Sequence, residues 1–149
     1  ALQAAYRLRL FGINPKVALI SHSNFGSVDT PSARKMSRAL EIMREKNPKL
    51  EAEGEMHVDA ALSPEVRSKM FPDSRLEGAA NLLVLPNLDA ANTAYNLSRV
   101  MSDGIGIGPV LMGMGKPAHV LTPSATVRRV VNMTAIAAVE AQIRAAREK

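Results

Sequence analysis

Val17-Ala18-Leu19-Ile20-Ser21-His22-Ser23-Asn24-Phe25-Gly26-Ser27-Val28-Asp29-Thr30-Pro31 is the stretch that decides the fold class. Its first four residues have the length and apolarity of a central strand covered on both faces. Ser21 to Asp29, polar and with one glycine, leaves the sheet as a loop. Thr30-Pro31 then opens a helix, because the threonine hydroxyl accepts an orphan backbone N–H and proline sits where a missing N–H is harmless. A strand, a loop and a helix in this order is the repeating unit of a parallel sheet.

That helix should run to about Lys46, with Asn47-Pro48 stopping it and Met36, Leu40 and Met43 on its inner face. Upstream, Ala1 to Leu10 reads as a helix ended by Gly12. Downstream, Leu50 to Val58 alternates as a strand with Gly54 as a bulge. Asp59 to Phe71 is helical in part, broken at Ser63-Pro64, and Pro72-Asp73-Ser74 makes a surface turn. Asn81 to Pro86 is a second buried strand, followed by a helix with Asp89 as its N-cap that runs through about Met101. The inner face of that helix should carry Ala90, Ala94, Leu97 and Val100 or Met101.

Gly104 to Gly113 reads as a glycine-punctuated loop entering another strand, and Gly115-Lys116-Pro117 turns the chain into a short buried strand, Ala118 to Leu121. Thr122-Pro123-Ser124 repeats the helix-opening pattern, so the last helix is expected from Pro123 or Ser124 to about Arg147. Val127, Val130, Val131, Thr134, Ala138 and Ala141 fall on one face of it. Strands that alternate with helices predict an α/β fold, a three-layer α/β/α sandwich with a largely parallel sheet. The loops after Ile20, Leu85 and Leu121 would then emerge at the carboxyl ends of the strands, where such folds bind ligands.

A chain of 149 residues that is 46% hydrophobic holds one domain with a substantial core, taken here as residues 1–149. The absence of cysteine removes disulfides and thiolate chemistry and fits a reducing compartment, so the expected location is cytoplasmic. No apolar run approaches transmembrane length, so no membrane partner is expected. The first residue is not methionine, which suggests a piece of a longer protein. The net charge of +5 is spread along helices, and with three Phe, two Tyr and no Trp the chain lacks the basic stripe and stacking platforms of a nucleic-acid binder. Anionic small molecules remain as partners.

Gly104, Gly106 and Gly108 precede a strand rather than follow one, and no Gly-Lys-Ser/Thr is present, so neither dinucleotide nor Walker-type binding is indicated. Ser21-His22 are adjacent and therefore badly placed to face each other as nucleophile and base, and no carboxylate is placed to orient the imidazole. His57 and Asp59, with His22 or His119, are the residues nearest to a metal set, but hydrogen-bonded polar residues account for them and no metal is expected. Asn24, Gly26 and Ser27 suit phosphate oxygens through backbone N–H groups and a short hydroxyl. The same loop reads equally as a tight turn closed by Asx-type bonds. Lys116 beside the Thr122 helix start either neutralises an anion there or is a solvated lysine.

Ser21 to Ser27, Glu55 to Ala61, Ala80 to Asn92, and Gly108 to Gly113 through Lys116-Pro117 together resemble phosphate acetyltransferases in order and spacing. His119 to Arg129 with Asn132-Met133-Thr134 is most similar to the phosphotransacetylase-like region fused to bacterial NADP-dependent malic enzymes. The resemblance implies an isocitrate/isopropylmalate-dehydrogenase-like α/β/α fold, an acyl-CoA-shaped groove and self-association. Working transferases of the family carry Leu-Ser-Arg-Gly after the last strand and an acid several residues on. Here Leu121 is followed by Thr122-Pro123-Ser124, and the acid's place falls at Arg128-Arg129. An arginine, with a pKa above about 12, is no base, and losing charge stabilisation in the transition state costs about a hundredfold or more.

The resemblance therefore implies a regulatory acyl-CoA-sensing and oligomerising domain without catalytic residues of its own. The alternatives are an active phosphate acetyltransferase and a purely structural dimerisation module. The expected acyl-CoA or phosphate contacts are Ser21, Asn24, Gly26, Ser27, Asn92, Tyr95, Lys116, Thr122, Ser124 and Arg128. The implied effector is acetyl-CoA, and the implied partners are a second copy and N-terminal malic enzyme domains of the same chain. NADP and a divalent metal would belong to those domains rather than to these residues.

Overall fold

Strand β1 (Lys16–Ile20) alternates its side chains between two apolar clusters, and everything in the first part of the chain is arranged around that division. The structure, a computed structural model, describes residues 1–147. It divides into two compact units, Ala1–Leu97 and Ser98–Lys149.

In the first unit β1 is central. It pairs in parallel with β2 (Glu51–Met56) on one side and β3 (Leu82–Val84) on the other. Val17 and Leu19 pack against Ala5 of α1 (Leu2–Leu10) and against Met36, Leu40 and Met43 of α2 (Pro31–Lys46). Ala18 and Ile20 face the other way, onto Met56, Leu76, Ala80 and the Ala60-Ala61 pair of α3 (Val58–Leu62). Helices therefore cover both faces of a parallel sheet, as the sequence predicts. Each large apolar side chain enclosed in this way stabilises the fold by about 1.5–3 kcal/mol.

Local signals set the boundaries of these elements. Thr30 caps α2, its Oγ1 accepting from the Ala33 N–H at 3.3 Å, with Pro31 in the first turn and Asn47 ending the helix. Gly54 forms the expected bulge: Leu19 pairs with Gly54 and Ile20 with Met56, so Glu55 is skipped. Glycine is required there, since φ is +143° and a Cβ would stand 2.7 Å from the Leu19 carbonyl oxygen. The helical stretch breaks at Ser63, which ends α3 and caps α4 (Pro64–Met70). Arg67 of α4 is 3% exposed, and its guanidinium donates to the carbonyls of Ala60 (2.8 Å), Leu76 (2.8 Å) and Gly78 (2.6 Å). It thereby fastens the segment after α4 to α3.

Several expectations are corrected. β3 is half-buried rather than buried, because it lies at an edge of the sheet among the described residues. The helix that follows, α5 (Leu88–Met101), is capped by Asn87, whose Oδ1 accepts from the Ala90 N–H at 2.8 Å, and not by Asp89. It buries none of its residues, and Leu97, Val100 and Met101 are exposed.

In the second unit no strand forms among the described residues, neither at Val110 to Met112 nor at Ala118 to Leu121. An apolar run becomes a strand only if a neighbouring backbone completes its ladder, and none does so here. Residues 102–126 form an extended segment lashed to α6 (Val127–Arg147) by arginines. Arg129 donates from Nε and Nη2 to the Gly108 carbonyl at 2.8 and 2.5 Å, and Arg144 reaches the carbonyls of Met114 and Gly115. The helix starts later than predicted, because Thr126, accepting from the Arg129 N–H at 3.3 Å, is the capping residue. Its inward face is also different: Met133 and Glu140 are buried, flanked by Arg129, Ile136 and Ile143, while Val127, Val130 and Val131 are exposed. No helix among the described residues is long and apolar enough to cross a membrane.

Candidate functional site

In a parallel sheet the loops after β1 and β3 leave at the same edge, and the loop after β1 is the more built of the two. Its organiser is Glu55, a carboxylate only 2% exposed on the bulged end of β2. Glu55 Oε1 accepts from the Ser23 hydroxyl and from the Gly26 N–H, both at 2.8 Å, and the Glu55 carbonyl accepts from the Phe25 N–H at 2.8 Å. Ser23 Oγ in turn accepts from the Val28 N–H at 3.1 Å. The Asn24 N–H donates to Ser27 Oγ at 2.9 Å, the Ser27 N–H to the Asn24 carbonyl at 3.0 Å, and the Ser23 N–H to Ser21 Oγ at 3.2 Å. The backbone amides proposed as phosphate donors are thus occupied by the loop itself, around a negative charge. A tight turn closed by serine hydroxyls describes this backbone better than an anion nest does, and it is not of the expected Asx type, because Asn24 Oδ1 is taken by the distant His57 N–H.

What the loop offers outward are side chains. Phe25, at φ +50°, stacks on Phe71 with ring centroids 4.3 Å apart and planes 16° from parallel. Asn24 Oδ1 accepts from the His57 N–H at 2.7 Å, while its Nδ2 meets only the thioether of Met70, at 3.4 Å. Asn24, Phe25, Gly26, Ser27, Met70 and Phe71 line an open groove of about 520 Å³.

Ser21 and His22 do not form a nucleophile and base. Ser21 is 8% exposed with its hydroxyl on the Ser23 amide, while His22 Nε2 lies 3.1 Å from the Thr30 hydroxyl. His57 Nε2 donates to the His22 carbonyl at 2.9 Å. Nowhere among the described residues do three His, Cys, Asp or Glu side chains gather as metal ligands would.

Asn92 and Tyr95 stand exposed on α5, in the first unit. Lys116, Thr122, Ser124 and Arg128 belong to the second, and all are exposed. Thr122 Oγ1 pairs with Ser124 Oγ at 3.1 Å and the Thr122 carbonyl accepts from Ala125, so Thr122-Pro123-Ser124 is a turn ahead of α6 and not its N-terminus. Thr122 therefore presents no helix N-terminus to an anion. His119 is enclosed in the same unit, its side chain 4% exposed and Nε2 3.8 Å from Glu140 Oε2.

Sequence reading missed Glu55, the Phe25–Phe71 stack, Met70 and the Arg129 tie. A signal existed for the first: Glu51, Glu53 and Glu55 form one side of a strand expected in a sheet covered on both faces, and a carboxylate buried there must find donors.

The profile described as phosphate acetyl/butaryl transferase matches residues 1–138. The chain is 60% identical over 142 residues to the NADP-dependent malic enzyme of Escherichia coli, covering 95% of this chain and 19% of that protein. It is 37% identical over 133 residues to the phosphate acetyltransferase of Acetivibrio thermocellus, covering 89% of this chain and 40% of that one. Among solved structures, a phosphotransacetylase from Streptococcus pyogenes matches with a TM-score of 0.90 at 33% identity, over 95% of this chain and 43% of that one. The chain thus spans less than half the length of each of these relatives.

Proposed function

The chain belongs to the phosphate acetyl/butaryl transferase family, and from that premise we propose that it is the regulatory, acyl-CoA-sensing and self-associating region of an NADP-dependent malic enzyme, not a working transferase. The observation that carries this reading is the contrast in identity, 60% to a malic enzyme against 37% to a phosphate acetyltransferase. In the parent protein the oxidative decarboxylation of malate to pyruvate, with NADP and a divalent metal, would fall to residues outside this chain.

Two features of the chain support the loss of transfer chemistry. Where the resemblance places an acid to accept the thiol proton, this chain has Arg128-Arg129, and Arg129 is engaged with the Gly108 carbonyl. A guanidinium tied to a carbonyl neither accepts a proton nor moves to do so. The Thr122 and Ser124 hydroxyls face each other across a turn, with proline between them where the resemblance expects an arginine. Self-association is supported by the apolar residues left exposed on α5 and α6, with Val100 and Met101 each 77% and Val127 81% exposed.

Acetyl-CoA titrated calorimetrically into the intact protein that carries this sequence should bind at micromolar to millimolar concentration and lower the rate of malate oxidation. Regulation requires that the two states of the enzyme differ in affinity for the effector. A coupled assay forming acetyl-CoA from acetyl phosphate and CoA should show no rate above background. A robust rate there would restore the transferase reading, and a protein blind to acetyl-CoA would leave a structural module.

A further inference from the structure

The groove beside the β1–α2 loop combines two aromatic rings, a thioether and a carboxamide, and that combination is selective. Two stacked aromatic rings and a thioether present polarisable, flat surface, which favours a flat heteroaromatic ring. The groove's volume, about 520 Å³, falls within the range of small-molecule sites. It lies past the carboxyl end of β1, where open parallel sheets bind their ligands.

The polar part of the groove is the Asn24 carboxamide. Its Nδ2 has only a sulfur for an acceptor, and a thioether is a weak one, so two N–H donors are available to something better. Its Oδ1 accepts one bond, from the His57 N–H, and keeps a second lone pair. A carboxamide offering a donor beside an acceptor is the partner of the adenine edge that carries N7 and the N6 amine. No carboxylate is among the lining residues, Glu55 being buried beneath the loop with its Oε1 on the Ser23 hydroxyl and the Gly26 N–H, and the chain as a whole is +5, which favours the phosphates an adenine nucleotide brings.

We infer that this groove is an adenine subsite: the ring lies against Phe25, Phe71 and Met70, with Asn24 reading its edge and the phosphate-bearing remainder of the ligand leading away over Gly26 and Ser27. The inference rests on the acyl-CoA reading and assigns one end of that ligand to these residues. It differs from the expected contact set in its driving force, which is ring stacking rather than amide-to-phosphate hydrogen bonding.

Two substitutions on the intact protein test it without touching the core. Asn24→Asp keeps the oxygen that holds the His57 amide and removes the donor, and Met70→Glu places a charge on a side chain that is already 44% exposed. Each should weaken binding of adenosine 3′,5′-bisphosphate and of acetyl-CoA about tenfold, the scale of one lost base contact. Pantetheine binding and the thermal midpoint should stay unchanged. If acetyl-CoA binds and neither variant alters its affinity, the adenine end sits elsewhere and the inference falls while the effector reading stands. If adenosine 3′,5′-bisphosphate binds with the expected sensitivity but acetyl-CoA leaves malate oxidation unaltered, the groove stands and the regulatory reading falls. If neither ligand binds the wild type, both fall.

Discussion

Ala1–Leu97 encloses an apolar cluster on each face of its sheet, whereas in Ser98–Lys149 Met133 is the one fully buried apolar side chain among the described residues. The first unit is held by packing. The second is held largely by directional bonds from Arg129 and Arg144 to loop carbonyls, around an enclosed His119 and Glu140. Its apolar side chains instead face outward along α6. A unit whose hydrophobic surface is spent on its own core can vary its loops and still fold. One that keeps that surface exposed has it available for another body.

The largest expected effect of a substitution is therefore in the first unit. Leu19 is fully buried and central, so Leu19→Ala should destabilise the protein by about 3–5 kcal/mol, the range for a leucine truncated in a tight core. Denaturant unfolding measures it, and a loss below about 1 kcal/mol, the scale of a surface change, would mean the sheet is not the stabilising centre. Next comes the polar organiser of the β1 loop. Glu55→Ala leaves the buried Ser23 hydroxyl and the Gly26 N–H without their acceptor, at a cost of about 2–3 kcal/mol. Amide exchange at Gly26 and Val28 should speed up with it. Protected amides in that variant would show that another group orders the loop.

How much of this is readable in advance follows from the range of the interactions. The β1–α2 unit is legible because its determinants are local: four apolar residues, Thr30 three residues from the amide it caps, and Asn47-Pro48 at the far end. The bulge at Gly54 is legible for the same reason. The expected strands around Val110 and Ala118 are not, because an apolar run does not say whether a ladder partner exists. The face of α6 misleads because the helix has two usable stripes. The valine stripe is uniformly apolar, while the stripe that packs inward contains Arg129 and Glu140, which look like surface residues until their partners are known. The site divides similarly: Asn24, Gly26 and Ser27 do line the groove, yet the stacking partner Phe71 and the organiser Glu55 come from distant parts of the chain.

In the second unit the ties can be cut one at a time. Arg129→Met keeps the aliphatic stem and removes the two donors to Gly108, so it should cost about 1–2 kcal/mol of local stability. The effect should concentrate in residues 102–126, where limited proteolysis and hydrogen exchange report local opening directly. Equal acceleration throughout Ala1–Leu97 would mean the two units unfold as one, and the contrast between them would lose its meaning.

The smallest effect on folding, and the sharpest on the comparison, belongs to the outward stripe of α6. Val130 and Val131 are 43% and 59% exposed, so replacing both with lysine removes little buried surface within the chain. Stability of the isolated chain should change by no more than about 0.5 kcal/mol, as at ordinary surface positions. Two charges on an apolar patch are costly only if something apolar covers it. The variant should therefore lower the oligomeric state, read by sedimentation at equal protein concentration, while denaturant unfolding of the dissociated chain is unaltered. Retained assembly with unaltered stability would mean that α6 faces water and self-association uses another surface. A loss of several kcal/mol in the dissociated chain would mean that the stripe is covered from within, and the second unit would then have a core after all.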